Sequence, residues 1–168
     1  MAYDAFMWLE GGAPPANGET TDDKYKGKNA FEIYSFSWGA SNPTTIGSAT
    51  GGAGAGKVSL SSFNIMKKSD AASPSLFANC CKGEHFDKAH VVLRKAGGTA
   101  LEYLKYDFEE VFVESVQWSG SSGGDDTPSE SVSFAFGKVN IEYEPQSAKG
   151  DQSKKVTAVW DLRANKSA

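Results

Sequence analysis

Apolar and polar residues alternate with a period of two through most of this chain, and no other feature restricts its fold as strongly. Asp4–Leu9, Phe31–Trp38, Lys88–Lys95, Leu101–Phe108, Val111–Ser119 and Val156–Leu162 all read as strands. In Phe31–Trp38 the aromatics Tyr34, Phe36 and Trp38 share one parity, predicted to face the core, while Ile33, Ser35 and Ser37 share the other. In the closing segment Val156, Trp160 and Leu162 are in phase.

Two segments change phase midway. In Val58–Met66, Val58 and Leu60 give way to Phe63 and Ile65 across Ser61-Ser62. In Glu130–Tyr143, Val132, Phe134 and Phe136 give way to Val139, Ile141 and Tyr143, with Gly137 at the switch. A bulge at each slip bends the strand, so the pattern predicts a two-sheet barrel, not a flat sandwich. Ala96-Gly97-Gly98-Thr99 reads as a hairpin turn. The expected exception to the strands is a short helix over Ser73–Lys82, with Ser73 as N-cap, Pro74 in its first turn and Gly83 as its C-terminal cap. Its predicted buried face carries Leu76, Phe77, Cys80 and Cys81. Gly39–Gly56 is too rich in small residues for a strand and too long for a turn, and reads as an extended glycine-rich loop.

Composition then excludes classes of function. The 168 residues suit one mainly β domain, and a 39% hydrophobic fraction excludes a disordered chain. A net charge of −4 argues against a protein built to grip nucleic acid or anionic lipid. No apolar run is long enough to enter a membrane as a helix, and Met1-Ala2-Tyr3-Asp4 lacks the basic start of a secretory signal. These features suggest a soluble, cytoplasmic protein whose export, if it occurs, uses no cleaved signal.

Several motifs resemble chemistry without completing it. Gly51-Gly52-Ala53-Gly54-Ala55-Gly56-Lys57 matches the start of a phosphate-binding loop, but Val58 stands where Ser or Thr should be, and a strand follows where a helix should. Cys80, Cys81, His85 and His90 are soft ligands close in sequence, yet adjacent cysteines point apart and the helix would bury both; His90 is expected on an exposed strand face. The acidic pairs Glu109-Glu110 and Asp125-Asp126 are better read as solvated edges than as glycosidase carboxylates. No nucleophile elbow is present. The four Trp, six Tyr and ten Phe mostly follow the parity of neighbouring aliphatics, as a core does, and not a sugar- or base-stacking platform. The expectation is a protein without catalysis, cofactor or metal.

A set of landmarks in order carries a resemblance. These are Asp4-Ala5-Phe6; Gly18-Glu19-Thr20-Thr21-Asp22; Ser35-Phe36-Ser37-Trp38-Gly39; Gly54-Ala55-Gly56-Lys57-Val58; Ala72-Ser73-Pro74-Ser75-Leu76; and Lys82-Gly83-Glu84-His85-Phe86. They continue through Arg94-Lys95-Ala96-Gly97-Gly98, Glu102-Tyr103, Gly123-Gly124-Asp125-Asp126, Glu130-Ser131-Val132, Tyr143-Glu144-Pro145-Gln146 and Trp160-Asp161-Leu162. Taken together, they resemble the Hcp (haemolysin-coregulated protein) family of type VI secretion across essentially the whole chain. The loop Glu10–Gly18, with Pro14-Pro15, is longer than the family pattern, and Cys80-Cys81 and Trp118 are individual.

The resemblance implies a β-barrel with one flanking helix that assembles into homohexameric rings. The rings would stack into an inner tube, work with type VI sheath, spike and effector proteins, and carry effectors in the lumen. It also implies synthesis in the bacterial cytoplasm and export without a cleaved signal peptide. On this reading Ser35 and Ser37 face the lumen, and the loop bearing Gly39, Ser48, Gly51, Gly52, Gly54 and Gly56 contacts neighbouring subunits or rings. Residues 149–168 carry a net +3 against −7 for the remainder, so Lys154, Lys155, Arg163 and Lys166 form a candidate basic tail for stacking. The alternative is a β-rich ligand-binding module of carbohydrate type, and a third possibility is a small hydrolase with an unrecognised site.

Overall fold

The computed structural model describes residues 2–46, 54–96, 100–124, 126–146 and 154–167. The strands are β1 (Tyr3–Glu10), β2 (Phe31–Ile33), β3 (Ser35–Ser37), β4 (Ala40–Ser41), β5 (Thr44–Thr45), β6 (Gly54–Ala55), β7 (Ser59–Leu60) and β8 (Phe63–Lys68). The helix α1 (Ser73–Lys82) precedes β9 (His85–Lys95), β10 (Glu102–Ser119), β11 (Ser129–Tyr143) and β12 (Val156–Asp161). The main sheet runs β2-β1-β9-β10-β11-β8-β3, with β12 added to β11. All pairings within it are antiparallel.

The two ends of this sheet are one kinked strand. β2 pairs with β1 through Ala5↔Ile33 and Met7↔Phe31, whereas β3 pairs with β8 through Ser35↔Met66 and Ser37↔Asn64. Tyr34 lies at the kink, and its N–H donates to the Met66 carbonyl at 3.1 Å. Backbone continuity thus closes the sheet into the expected barrel. The kink also corrects the predicted parity. Phe31 and Ile33 are buried before it and Phe36 and Trp38 pack inward after it, which leaves Tyr34 52% exposed.

A second corner lies in the long hairpin of β10 and β11. Tyr106 and Phe108 face inward on one side of it and Val111 and Val113 on the other; on β11 the same switch separates Phe136 from Val139. Between the pairs Glu109↔Lys138 and Val111↔Phe136, Glu110 adopts φ +55° opposite Gly137. This left-handed residue turns both strands over, so the phase change read at Gly137 is a corner between two sheet layers. β11 pairs with β8 before the corner (Ser129–Phe134) and with β12 after it (Lys138–Tyr143). The slip at Ser61-Ser62 likewise separates β7 from β8.

Both layers enclose one aromatic core. Trp38 meets the rings of Phe63, Tyr106, Phe108 and Phe136 at centroid distances of 6.2, 5.2, 5.7 and 5.8 Å, all edge-on. α1 packs Leu76 fully into this core. The helix ends at Gly83 as expected, but its N-cap is Ala72, not Ser73. The Ser73 hydroxyl is instead drawn inward to Lys67 and Glu130, and Asp70 Oδ1 accepts from the Ala72 N–H at 3.0 Å. The predicted apolar face is also narrower than expected. Phe77 is 50% exposed and leans on Trp118, Cys80 is half-buried and Cys81 is exposed, because the fully buried side of the helix carries Ser73, Leu76 and Asn79.

The longer first loop is seated on this helix. Asn79 Nδ2 donates to the Pro14 carbonyl at 2.8 Å and Lys82 Nζ to that of Ala13 at 3.0 Å. Gly12 sits at φ +84°, with Phe86 ring carbon 2.4 Å from where a Cβ would lie, so only glycine fits there.

Gly39–Gly56 is not a loop without secondary structure. β4 pairs with β7 and β5 with β6, which makes a two-stranded arm continuing from β3 and β8. Its small residues suit the exposed β4, while Leu60 of β7 packs against the core. A Cβ on Gly56 would come within 2.8 Å of the Pro43 carbonyl oxygen, and the Gly56 N–H donates to that same oxygen. Residues 47–53, including Ser48, Gly51 and Gly52, lie outside the described residues, as do the hairpin turn at 97–99 and Asp125.

Candidate functional site

Ser35 and Ser37 point away from the core, as their parity requires, and the register extends them into rows across the second sheet layer. One row runs Ser37, Asn64, Ser133, Ser115 over β3, β8, β11 and β10. The next runs Ser35, Met66, Ser131, Gln117. The rows hold hydroxyls, amides and one thioether, and no charge. Their polar groups bond to one another: the Ser133 hydroxyl donates to Asn64 Oδ1, and Asn64 Nδ2 donates to the Ser62 carbonyl at 3.2 Å. Such a face is wettable without offering an ion a strong partner. Sequence reading found its first strand only. Alternate positions Asn64, Ser131 and Ser133 carried the same signal, but joining them needed the pairing register.

The outer face of the first sheet layer has the opposite character. Neighbouring strands place Glu10, Lys88, Glu109, Lys138 and Asp161 side by side, alternating in sign. Beside this row, His90 is not exposed as expected. Its side chain is 19% exposed, its Nδ1 lies 2.6 Å from Asp107 Oδ1, its Nε2 lies 2.8 Å from Glu10 Oε1, and its ring stacks on Trp8. The hydrogen bond to Asp107 raises the His90 pKa against the opposing effect of burial, and Glu10 adds to the rise. Further along, Arg94 bonds Asp22 at 2.7 Å and Asp4 at 3.1 Å over the rings of Phe6 and Tyr25. The buried Tyr25 hydroxyl donates to Glu102. Burial pushes the Glu102 carboxyl up, but bonds from Lys24, Tyr25 and Lys105 outweigh it and hold the group at about 2. These titratable groups are engaged chiefly with one another.

The basic tail is not a single patch. Lys154 and Lys155 precede β12 while Arg163 and Lys166 follow it, so the strand separates them by about 20 Å. Lys155 is paired with Glu142 at 3.0 Å, and Arg163 with Glu110. Lys154 and Lys166 make no ion pair among the described residues. The arm bearing Gly39, Gly54 and Gly56 is fastened at its base by Ser61, whose hydroxyl accepts from the Gly39 N–H at 2.8 Å; Ile46, farther out, is 88% exposed. Where the nucleotide-loop motif ends, Gly56 and Lys57 lead into β7, not into a helix. Cys80 and Cys81 sit on α1, and His85 and His90 on β9. Deep in the barrel, Lys67 and Glu130 form an ion pair that the strand pattern did not reveal.

Residues 6–143 match the family model described as "Type VI secretion system effector, Hcp". The chain is 37% identical over 111 residues to Protein hcp1 of Pseudomonas aeruginosa, spanning 65% of this chain and 68% of that protein. A solved type six secretion system protein superposes with a TM-score of 0.90 at 34% identity, covering 99% of this chain and 100% of the other. Hcp1 from Salmonella typhimurium gives a TM-score of 0.78 at 35% identity over 100% of both chains.

Proposed function

The chain belongs to the Hcp family of type VI secretion proteins, and from that premise we propose that it is a non-enzymatic subunit of the secretion system's inner tube. Six copies close into a ring, rings stack into a tube inside the sheath and beneath the spike, and the lumen carries effectors out of the bacterial cytoplasm without a cleaved signal. The observation that carries this reading is the uncharged hydroxyl and amide face of Ser37, Asn64, Ser133, Ser35 and Ser131. Lining a channel, it would let a polypeptide pass without adhering to it. In this arrangement the arm of β4 to β7 reaches a neighbouring subunit or ring, and the cations at the two ends of β12 assist stacking.

The test is size-exclusion chromatography with negative-stain microscopy of the purified chain. Six-fold rings support the proposal; a monomer with glycan affinity supports the ligand-binding alternative. Ser37→Arg should leave the ring intact and change effector retention, and loss of the ring would contradict the lumen assignment. Deleting residues 48–54 should impair rings or tubes, and unaltered assembly would count against the arm's role.

A further inference from the structure

The hydroxyl and amide face carries one charge that the fold leaves without a counterion. β10 and β11 slip in register between Val113 and Ser115, because Glu114 is an extra residue with no partner on β11. The bulge lets Val113 and Val116 both face the core, although an odd number of steps separates them, and it sends Glu114 outward beside Ser115. Bulges of this kind re-aim a side chain without turning over the strand beyond them. Here the side chain placed on an otherwise neutral surface is a carboxylate, and it is exposed.

Hydrogen bonds tie Glu114 into the rows of that face. The Ser62 hydroxyl donates to Glu114 Oε2, the Ser62 carbonyl accepts from Asn64 Nδ2 at 3.2 Å, and Asn64 Oδ1 accepts from the Ser133 hydroxyl. Glu114 makes no ion pair among the described residues, and its Oε1 has no hydrogen bond there. Carboxylates elsewhere on the same hairpin are matched: Glu102 with Lys24, Glu110 with Arg163 and Glu142 with Lys155. Along β8 the face ends at the outward Lys68, about 13 Å from Asn64 at the rise of a strand.

We propose that Glu114 determines which polypeptides the channel retains, as the contact for Lys and Arg side chains of the cargo. This rests on the ring reading above, under which rotational symmetry sets one Glu114 from every copy at the same height. Carboxylates of one sign around a walled channel focus their field inward. A segment that slides past the hydroxyl rows is then held where it presents cations and turned away where it presents carboxylates. The neutrality of Ser37, Asn64, Ser133, Ser35 and Ser131 is what gives a single charge this weight, since none of them screens or competes with it.

The experiment uses the full chain as wild type, Glu114→Gln and Glu114→Lys, with assembly of each checked by negative-stain microscopy. Fluorescein-labelled octalysine and octaglutamate peptides are the probes, titrated by anisotropy at low and at high salt. Wild-type rings should bind octalysine in preference to octaglutamate, and added salt should erase the preference. Glu114→Gln should weaken octalysine binding by about fivefold or more, since one peptide meets several carboxylates at once. Glu114→Lys should reverse the preference. If wild-type rings show no preference, or if Glu114→Gln rings bind octalysine as tightly as wild type, the assignment is wrong while the ring reading stands. Loss of the ring in Glu114→Gln alone would make Glu114 an assembly contact and overturn the assignment as well. If the wild-type chain forms no ring, the ring reading fails and this assignment with it.

Discussion

Lys67→Met isolates the least expected feature of the interior. Lys67 and Glu130 are both 0% exposed, and Lys67 Nζ lies 2.5 Å from Glu130 Oε1, 2.7 Å from Asp70 Oδ1, 2.9 Å from the Lys68 carbonyl and 3.2 Å from the Ser73 hydroxyl. Methionine keeps most of the apolar stem that passes Phe31 but removes the charge. Glu130 then retains only the Ser69 and Ser73 hydroxyls, at 3.2 and 2.8 Å. Removing one partner of a buried pair costs about 3–5 kcal/mol, because the remaining charge has no counterion. Two hydroxyls survive, so the lower end, about 3 kcal/mol, is expected. In a chain of this size that lowers Tm by roughly 6–12 °C. Adding Glu130→Leu should return at least half of the loss, since the second variant removes the orphaned carboxylate. Urea unfolding of wild type, both single variants and the double variant at one chain concentration measures the coupling. A loss under 1 kcal/mol for Lys67→Met, or strict additivity in the cycle, would refute the argument that the pair acts as a unit.

Two further predictions concern pH. The folded His90 pKa is raised, so its contribution is fully present below about 6.5 and is lost as pH rises through the folded value. His90→Asn should abolish that pH dependence, on the order of 1 kcal/mol given the partial exposure of its partners, and a slope unchanged in urea titrations from pH 6 to 9 would contradict it. Glu102 runs the other way: held at about 2, it stabilises the fold above its unfolded value near 4.5, and that stabilisation disappears as pH falls toward 2. Glu102→Gln should flatten the acid limb of the stability curve, and an acid midpoint identical to wild type would count against it.

Most strands of the barrel were legible in local alternation, yet its corners were legible only in part. The phase slips at Ser61-Ser62 and Gly137 were visible because apolar residues changed parity there. The kink at Tyr34 was hidden, because an aromatic occupies the break and extends the apparent parity of Phe36 and Trp38. His90 illustrates a second limit. Parity placed it correctly on the outer face, but Trp8, Asp107 and Glu10 close over it from strands whose register no single segment encodes. Lys67 and Glu130 were invisible for the same reason: each is an unremarkable charge within its own strand, and only the pairing Glu130↔Lys67 joins them.

The corner at Glu110 and Gly137 has a consequence for how such a chain can vary. Ahead of it β10 turns Lys105, Asp107 and Glu109 outward; beyond it, Ser115 and Gln117. β11 mirrors this, with Ser131 and Ser133 before the corner and Lys138, Asn140 and Glu142 after it. A single hairpin therefore encodes two exteriors of different chemistry, one densely charged and one mostly hydroxyl and amide with Glu114 at the bulge, over a shared interior. Substitutions in the outward positions of either half can accumulate independently, whereas adding or deleting one residue at the corner would exchange interior for exterior along everything downstream.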